Sequence, residues 1–334
     1  MTRRLQLIAG IVVSVFCLWL SMRDVDPVAV WHVLRRANYV GFMGVVATTL
    51  IGFWLRAVRW RSLIQSPKRL GLGGLFSATM IGFMANNVLP LRLGEFVRPW
   101  ALSRREGLSK STLLATIVVE RVVDMLTLLA ILGIALLVHP ISTASEAGRM
   151  TRGGASMLVA ACIGLTVFVV VLERQPRLAQ AAIGRLSSPL PEGVRMRVSN
   201  MLTHFVDGLG LFRDLQRLLW VFLLSFVMFG VVVMGLQLSL WSLDIQLPWY
   251  AGLIMLVITA IGIMVPAAPG YIGTMNVACI AGLALFQVGK ESAVPFSWFY
   301  WASQWAPVTL VGLLCLQREG LSLRSLGQAR EGPA

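Results

Sequence analysis

The chain has 334 residues, of which 57% are hydrophobic and only 13% charged, with a net charge of +14 and a mean hydropathy of +0.77. A soluble domain of this length carries close to twice that share of charge, so a soluble enzyme, a disordered chain and a fibre are all excluded. The positive charge lies between apolar runs, where it orients a membrane protein and meets anionic lipid, so no nucleic-acid partner is expected.

In chain order, apolar segments fall at 5–22, 38–55, 72–89, 112–138, 154–172, 218–242, 249–268, 270–288 and 294–316, several of them near the ~20 residues a bilayer crossing needs. The first follows Arg3 and Arg4 and runs into Arg23-Asp-Val-Asp-Pro27 with no small-residue cleavage site, which reads as an uncleaved signal anchor. After the third segment, Leu89-Pro-Leu-Arg-Leu-Gly-Glu-Phe-Val-Arg98 is too polar for another crossing, so 72–102 reads as a hairpin dipping in from one side. The stretch Val265-Pro-Ala-Ala-Pro-Gly-Tyr-Ile-Gly273 breaks any helix. Segments 249–268 and 270–288 therefore form either a second hairpin or two full crossings.

With both termini cytoplasmic, the inside flanks carry 22 of the 29 Lys and Arg and the outside loops 6. That bias supports a multi-pass protein of the plasma (inner) membrane. The first half then reads span, span, cytoplasmic hairpin, span, and the second half repeats the series in the opposite orientation. Pro90-x-x-x-Gly94 recurs as Pro269-x-x-x-Gly273. The fold class expected is an all-α polytopic membrane protein of two inverted-topology repeats, 1–139 and 154–316, each with a Pro/Gly re-entrant hairpin, followed by a cytoplasmic tail at 317–334. Between the repeats, Val194, Val198, Met201, Phe205, Leu209 and Phe212 form a helical apolar stripe in 174–217. It suits a helix lying on the inner leaflet or one packed on the protein's own cytoplasmic face.

Three places carry chemistry. In 112–138, Thr112, Thr116, Glu120, Asp124 and Thr127 share one helix face, with Arg121 about 100° away and able to meet Asp124 at i+3. Three central charges oppose insertion by about 7–10 kcal/mol and nearly cancel the Leu, Ile and Val around them. The stripe must therefore face protein or water and be paired, either as a structural ion network or as part of a binding site. In the first hairpin, Asn87, Pro90, Arg92, Gly94, Glu95 and Arg98 combine forked donors with a breakable backbone, which suits an anionic headgroup. The bland reading is that Arg92 and Arg98 mark the cytoplasmic boundary. In the second hairpin, Pro269, Gly270, Gly273 and Asn276 offer backbone dipoles for binding or gating, against packing alone. Trp298, Trp301 and Trp305 read as interfacial and packing residues. Scattered cysteines and histidines give no metal site, and no cofactor is expected.

The motifs Pro90-x-Arg92-x-Gly94-Glu95-x-x-Arg98, Glu120-Arg121-x-x-Asp124 and Pro269-Gly270-x-x-Gly273 resemble, in order, the signature of the lysylphosphatidylglycerol synthase transmembrane region family, also described as flippase-like. The resemblance spans roughly 5–316. In the synthases this region precedes a soluble aminoacyl transferase and is held to move the modified lipid between leaflets. Here the chain ends soon after the last span, so the resemblance implies a lipid-translocating unit without that transferase. One position departs: Asn276 stands where the family often has an acid, so no carboxylate-dependent step is implied at the second hairpin. The expected cargo is an anionic phospholipid or a polyisoprenoid phosphate, and a homo-oligomer is compatible with the plan. Two other functions fit the same residues. One is a membrane enzyme acting on a lipid headgroup with Glu120 or Asp124 as base. The other is a proton-coupled small-solute transporter titrating Glu95 and Asp124.

Overall fold

The computed structural model describes residues 2–23, 25–64, 69–89, 93–138, 160, 163–164, 215–264, 268–323 and 326. The apolar segment 154–172, apart from three positions, and the stripe at 194–212 lie outside them. All regular structure among the described residues is helical: α1 (Thr2–Met22), α2 (Pro27–Arg36), α3 (Tyr39–Leu63), α4 (Leu72–Val88), α5 (Gly94–Glu106), α6 (Lys110–Val138), α7 (Leu215–Ser242), α8 (Ala251–Met264), α9 (Thr274–Ala284) and α10 (Lys290–Arg318). A 3-10 turn, Pro269–Tyr271, stands between α8 and α9. Among the described residues, three helices are long and apolar enough to cross a membrane: Tyr39–Leu63, Gln216–Ser242 and Lys290–Arg318.

Two local readings are corrected. Residues 23–36 hold helix α2 rather than an open loop, because Asp26 caps it by accepting from the Val28 amide at 2.9 Å and Pro27 pre-sets its first turn. The second span does not stop at 55. Helix α3, capped at its start by Asn38, continues through Arg56 and Arg59 to Leu63. Both arginines thereby move from a presumed flank into the bundle, where Arg59 is fully buried.

Helices α3 and α7 lie side by side, α4 folds back on α5, and α8 folds back on α9. Helix α4 also packs on α10, and α8 on α6; α5 rests on α6, and α9 on α10. Small residues permit these approaches: a Cβ on Gly235 of α7 would sit 2.7 Å from Thr48 Oγ1 of α3. The tightest approach is between α4 and α5. A Cβ on Gly82 would lie 2.6 Å from Arg98 Cβ, and one on Gly94 would overlap the Gly82 carbonyl oxygen. Helix α1 touches the second hairpin, its Ser14 hydroxyl accepting from the Ala268 amide at 2.8 Å. Helices α8 and α9 have 14 and 11 residues, so they rise only about 21 and 16 Å against a hydrocarbon core of about 30 Å.

The apolar core forms two clusters. One gathers Trp60, Leu63, Met84, Val97, Leu102, Val119 and Val123, and the other Val45, Leu128, Leu236, Met255, Cys279 and Phe296. Along α6 the boundary between them falls from Val123 to Leu128, where Asp124 sits.

Replacing Gly94 with Ala should lower the melting temperature of the detergent-purified protein, by the equivalent of about 1–3 kcal/mol for an overpacked contact. Gly133→Ala, where an added Cβ meets nothing within 4 Å, is the control. Equal melting curves for wild type and Gly94→Ala would show that the two helices do not need this approach.

Candidate functional site: an arginine cluster beside a cavity

The polar stripe of α6 faces inward: Thr116, Glu120 and Thr127 are essentially inaccessible and Asp124 is 6% exposed. The threonines satisfy themselves, Thr116 Oγ1 donating to the Leu113 carbonyl and Thr127 Oγ1 to that of Val123. The two acids require outside donors, and four arginines supply them. Arg98 of α5 reaches both oxygens of Glu120 through Nη1, at 3.0 and 2.9 Å. Arg56 of α3 donates to Glu120 Oε1 at 3.2 Å and lies 3.5 Å from Asp124 Oδ2. Arg59, three residues and most of a turn onward, is 2.5 Å from Asp124 Oδ1, 2.7 Å from the Ser225 hydroxyl of α7 and 3.4 Å from Glu120. Arg121 completes the set at 3.0 Å from Glu120 and 3.6 Å from Asp124. Glu120 is the hub, joining α3, α5 and α6 through one carboxylate. The Arg98 guanidinium carbon also lies 3.9 Å from the centroid of the Trp60 ring, and the indole N–H of Trp60 is held by Thr116 at 2.9 Å.

The donors exceed the acceptors. Four guanidiniums face the two carboxylates of the cluster, and with Glu95 at the cavity wall the described residues keep an excess of one positive charge. Nε and Nη2 of Arg59, Nε and Nη2 of Arg98, and Nε of Arg121 are buried with no hydrogen-bond acceptor among the described residues. Uncompensated charge in a low-dielectric interior is costly, and Arg98 and Arg121, though not Arg59, stand with Arg56 at the wall of a cavity of about 500 Å³. Helices α3 to α10 all contribute to its lining. Arg56, Arg98, Arg121, Asp124 and Glu95 bring the charge. Exposure of the arginine side chains grades toward the space, from 0% for Arg59 and 3% for Arg98 to 16% for Arg56 and 35% for Arg121.

The sequence-derived candidates separate into groups. Asn87, Gly94, Glu95, Arg98, Arg121, Asp124 and Gly270 line the cavity. Glu120 stands behind it. Pro90 and Arg92 lie outside the described residues. Pro269, Gly273 and Asn276 are not in the lining, and Asn276 has a structural occupation: its Oδ1 accepts from the Gly273 amide at 3.1 Å and its Nδ2 donates to Ser297 at 3.0 Å. Gly270 and Gly273 have φ of +75° and +88°, the left-handed conformations that a Pro-Gly turn of this shape demands.

Sequence reasoning passed over Arg56 and Arg59, although two acids and one arginine on α6 signalled missing cations. It also set Trp301 and Trp305 aside as packing residues. Both line the cavity, their rings stacked at 5.4 Å, with Trp301 Nε1 donating to the Gly270 carbonyl at 2.9 Å.

A helical bundle of apolar spans around a buried arginine cluster defines a multi-pass membrane protein. Residues 7–312 match the family described as Lysylphosphatidylglycerol synthase TM region, and the chain belongs to it. The chain is also similar to Glycosyltransferase AglD of Haloferax volcanii, 30% identical over 136 residues, which is 40% of this chain and 22% of that protein. No solved structure matches.

Arg59→Gln should strip Asp124 of its shortest partner and cost about 3–5 kcal/mol of stability, the range for breaking a buried pair. Pairing it with Asp124→Asn should recover part of that loss. Melting temperatures of the two singles and the double give the coupling, and strictly additive losses would show that the pair does not hold α3 to α6.

Proposed function

We propose that this protein translocates an anionic lipid, a phospholipid or a polyisoprenoid phosphate, between leaflets of the membrane that holds it. The observation that carries the reading is the excess of guanidinium charge at the wall of the cavity, where Arg56, Arg98 and Arg121 face Asp124 and Glu95 and buried donors of Arg98 and Arg121 have no acceptor among the described residues. A phosphate supplies the acceptors and the negative charge that this surplus lacks. Arg121 and Arg56, the more exposed of the four, meet the headgroup, while Arg59 and Arg98 hold the acids in place. The tail stays among the apolar side chains of α7 and α8 that line the same space, such as Val232 and Ile263. Membership of a family named for a lipid-modifying synthase is consistent with lipid cargo.

Two inverted repeats with re-entrant hairpins are the architecture proposed for this movement. With α3 matched to α7, α4–α5 to α8–α9, and α6 to α10, each contact recurs across the halves: α4 on α10 as α8 on α6, α5 on α6 as α9 on α10. The short rise of α8 and α9 supports a hairpin over two crossings. The orientation proposed keeps both termini cytoplasmic, in the plasma (inner) membrane.

The name of the Haloferax relative favours a second reading, an enzyme working on a lipid headgroup with Glu120 or Asp124 as base. The oxygens of both acids are already engaged by arginines, which suits holding a site together better than taking a proton.

Replacing both Arg56 and Arg121 with Ala should slow transbilayer movement of fluorescent phosphatidylglycerol in proteoliposomes by about a hundredfold, the worth of two charge-assisted hydrogen bonds. A neutral diacylglycerol probe is the control. Unchanged rates would remove the cavity from the transport path, and turnover of the lipid into a new headgroup would favour the enzyme.

A further inference from the structure

The cavity has a second polar sector that the arginines do not explain. On its α4 and α10 side it presents Asn87 and Gln304, flanked by the indoles of Trp301 and Trp305. Both amides have a forced orientation. The Thr49 hydroxyl donates to the Val45 carbonyl at 2.9 Å, so it can only accept from Gln304, whose Nε2 lies 2.8 Å away. The Thr309 hydroxyl likewise donates to the Trp305 carbonyl at 2.7 Å and accepts from Asn87 Nδ2 at 3.0 Å. With both NH₂ groups committed, the opposite face of each amide is its carbonyl oxygen. Neither oxygen receives a hydrogen bond among the described residues, and each belongs to a residue lining the cavity.

The two sectors therefore ask for opposite chemistry. Arg56 and Arg121 offer only donors and want an anion. Asn87 Oδ1 and Gln304 Oε1 offer only acceptors and want donors, which a phosphate diester lacks. Size agrees, since a phosphate, a handful of water-sized groups at about 30 Å³ each, fills roughly a quarter of 500 Å³. Spacing agrees as well. Gln304 is bonded to Thr49, which lies seven residues before Arg56 on α3, two turns and about 10 Å along the same face. Hydroxyls supply neutral donors. An ammonium would also donate, but three arginines line this space against Glu95 and Asp124, so a cation gains nothing there. Trp301 and Trp305, their rings stacked on each other, add aromatic surface to the cavity lining on the side of these amides.

We infer that the headgroup is a phosphate joined to a hydroxyl-rich group, a sugar or another polyol, with the phosphate on Arg56 and Arg121 and the hydroxyls on Asn87 and Gln304. This rests on the cavity being an anionic-lipid site. It is tested on the detergent-purified full chain by native mass spectrometry titration of lipid retention. The probes are phosphatidic acid, phosphatidylinositol, phosphatidylethanolamine, and a polyprenyl phosphate with and without an attached hexose. In each tail series the polyol form should half-saturate at about a tenfold lower concentration than its bare phosphate, the worth of two neutral hydrogen bonds. The series with the larger preference identifies the tail class. Gln304→Leu should bring that ratio toward one, and its retention of phosphatidic acid reports that it is folded. A ratio of one in the wild type, or tightest retention of phosphatidylethanolamine, overturns the polyol assignment and leaves the lipid site standing. No retention of any anionic probe overturns the lipid site itself, and the polyol assignment with it.

Discussion

Everything in this bundle is arranged around one electrostatic requirement: four arginines and two acids buried together within an apolar protein. An unpaired charge in such surroundings costs several kcal/mol, so each helix must deliver its charge to within a few ångströms of a partner. Helix α3 runs on past its apolar stretch to bring in Arg56 and Arg59. Helix α5 presses against α4 through Gly82 and Gly94, and that approach sets Arg98 over Trp60 and onto Glu120. If the first hairpin undocked, Arg98 and Glu120 would both lose partners, so the ion network enforces the hairpin's position as firmly as apolar packing does. Two apolar clusters flank the layer on either side.

Breaking helices inside a membrane protein leaves backbone amides to satisfy, and the two hairpins meet this demand with the same residue type. The Gly94 amide donates to Asn86 Oδ1 at 2.8 Å, and the Gly273 amide donates to Asn276 Oδ1 at 3.1 Å. In the first hairpin the asparagine precedes the break, and in the second it follows. Gly94 and Gly273 are the paired glycines of the two Pro-x-x-x-Gly motifs, so the motif marks a common backbone problem rather than a common ligand. This explains why Asn276 is buried in the scaffold while Asn87, next to the cap of the first hairpin, remains at the cavity.

Much of this was legible in the chain because its signals are strong and local. Apolar length marks the spans, Pro and Gly mark the breaks, and the spacing of Glu120, Asp124 and the threonines marks an inward face. Long-range partners carry no such local sign. Arg56 and Arg59 follow an apolar run and resemble a positive flank; only the unbalanced acids of α6, more than sixty residues away, argue otherwise. The tryptophans of α10 failed for a related reason. Trp is common at membrane interfaces, and only the second hairpin's turn, folding back on α10, makes Trp301 and Trp305 walls of a cavity.

For the translocation proposed above, the surplus of arginine donors bears on release as well as binding. Were donors and carboxylates matched, an incoming anion would have to displace Glu120 or Asp124 from a guanidinium, at a penalty of about 3–5 kcal/mol for a broken buried pair. Here Arg121, whose Nε has no acceptor among the described residues, can turn a donor to the anion while its existing pairs stay in place. Binding then lowers the local charge excess without opening the network, and departure restores it without closing one. A carrier must let go of its cargo as readily as it takes it up. A cluster with spare donors around an intact Glu120 hub meets that condition; a fully paired one would bind weakly, and one without acids would hold the anion too tightly to pass it on.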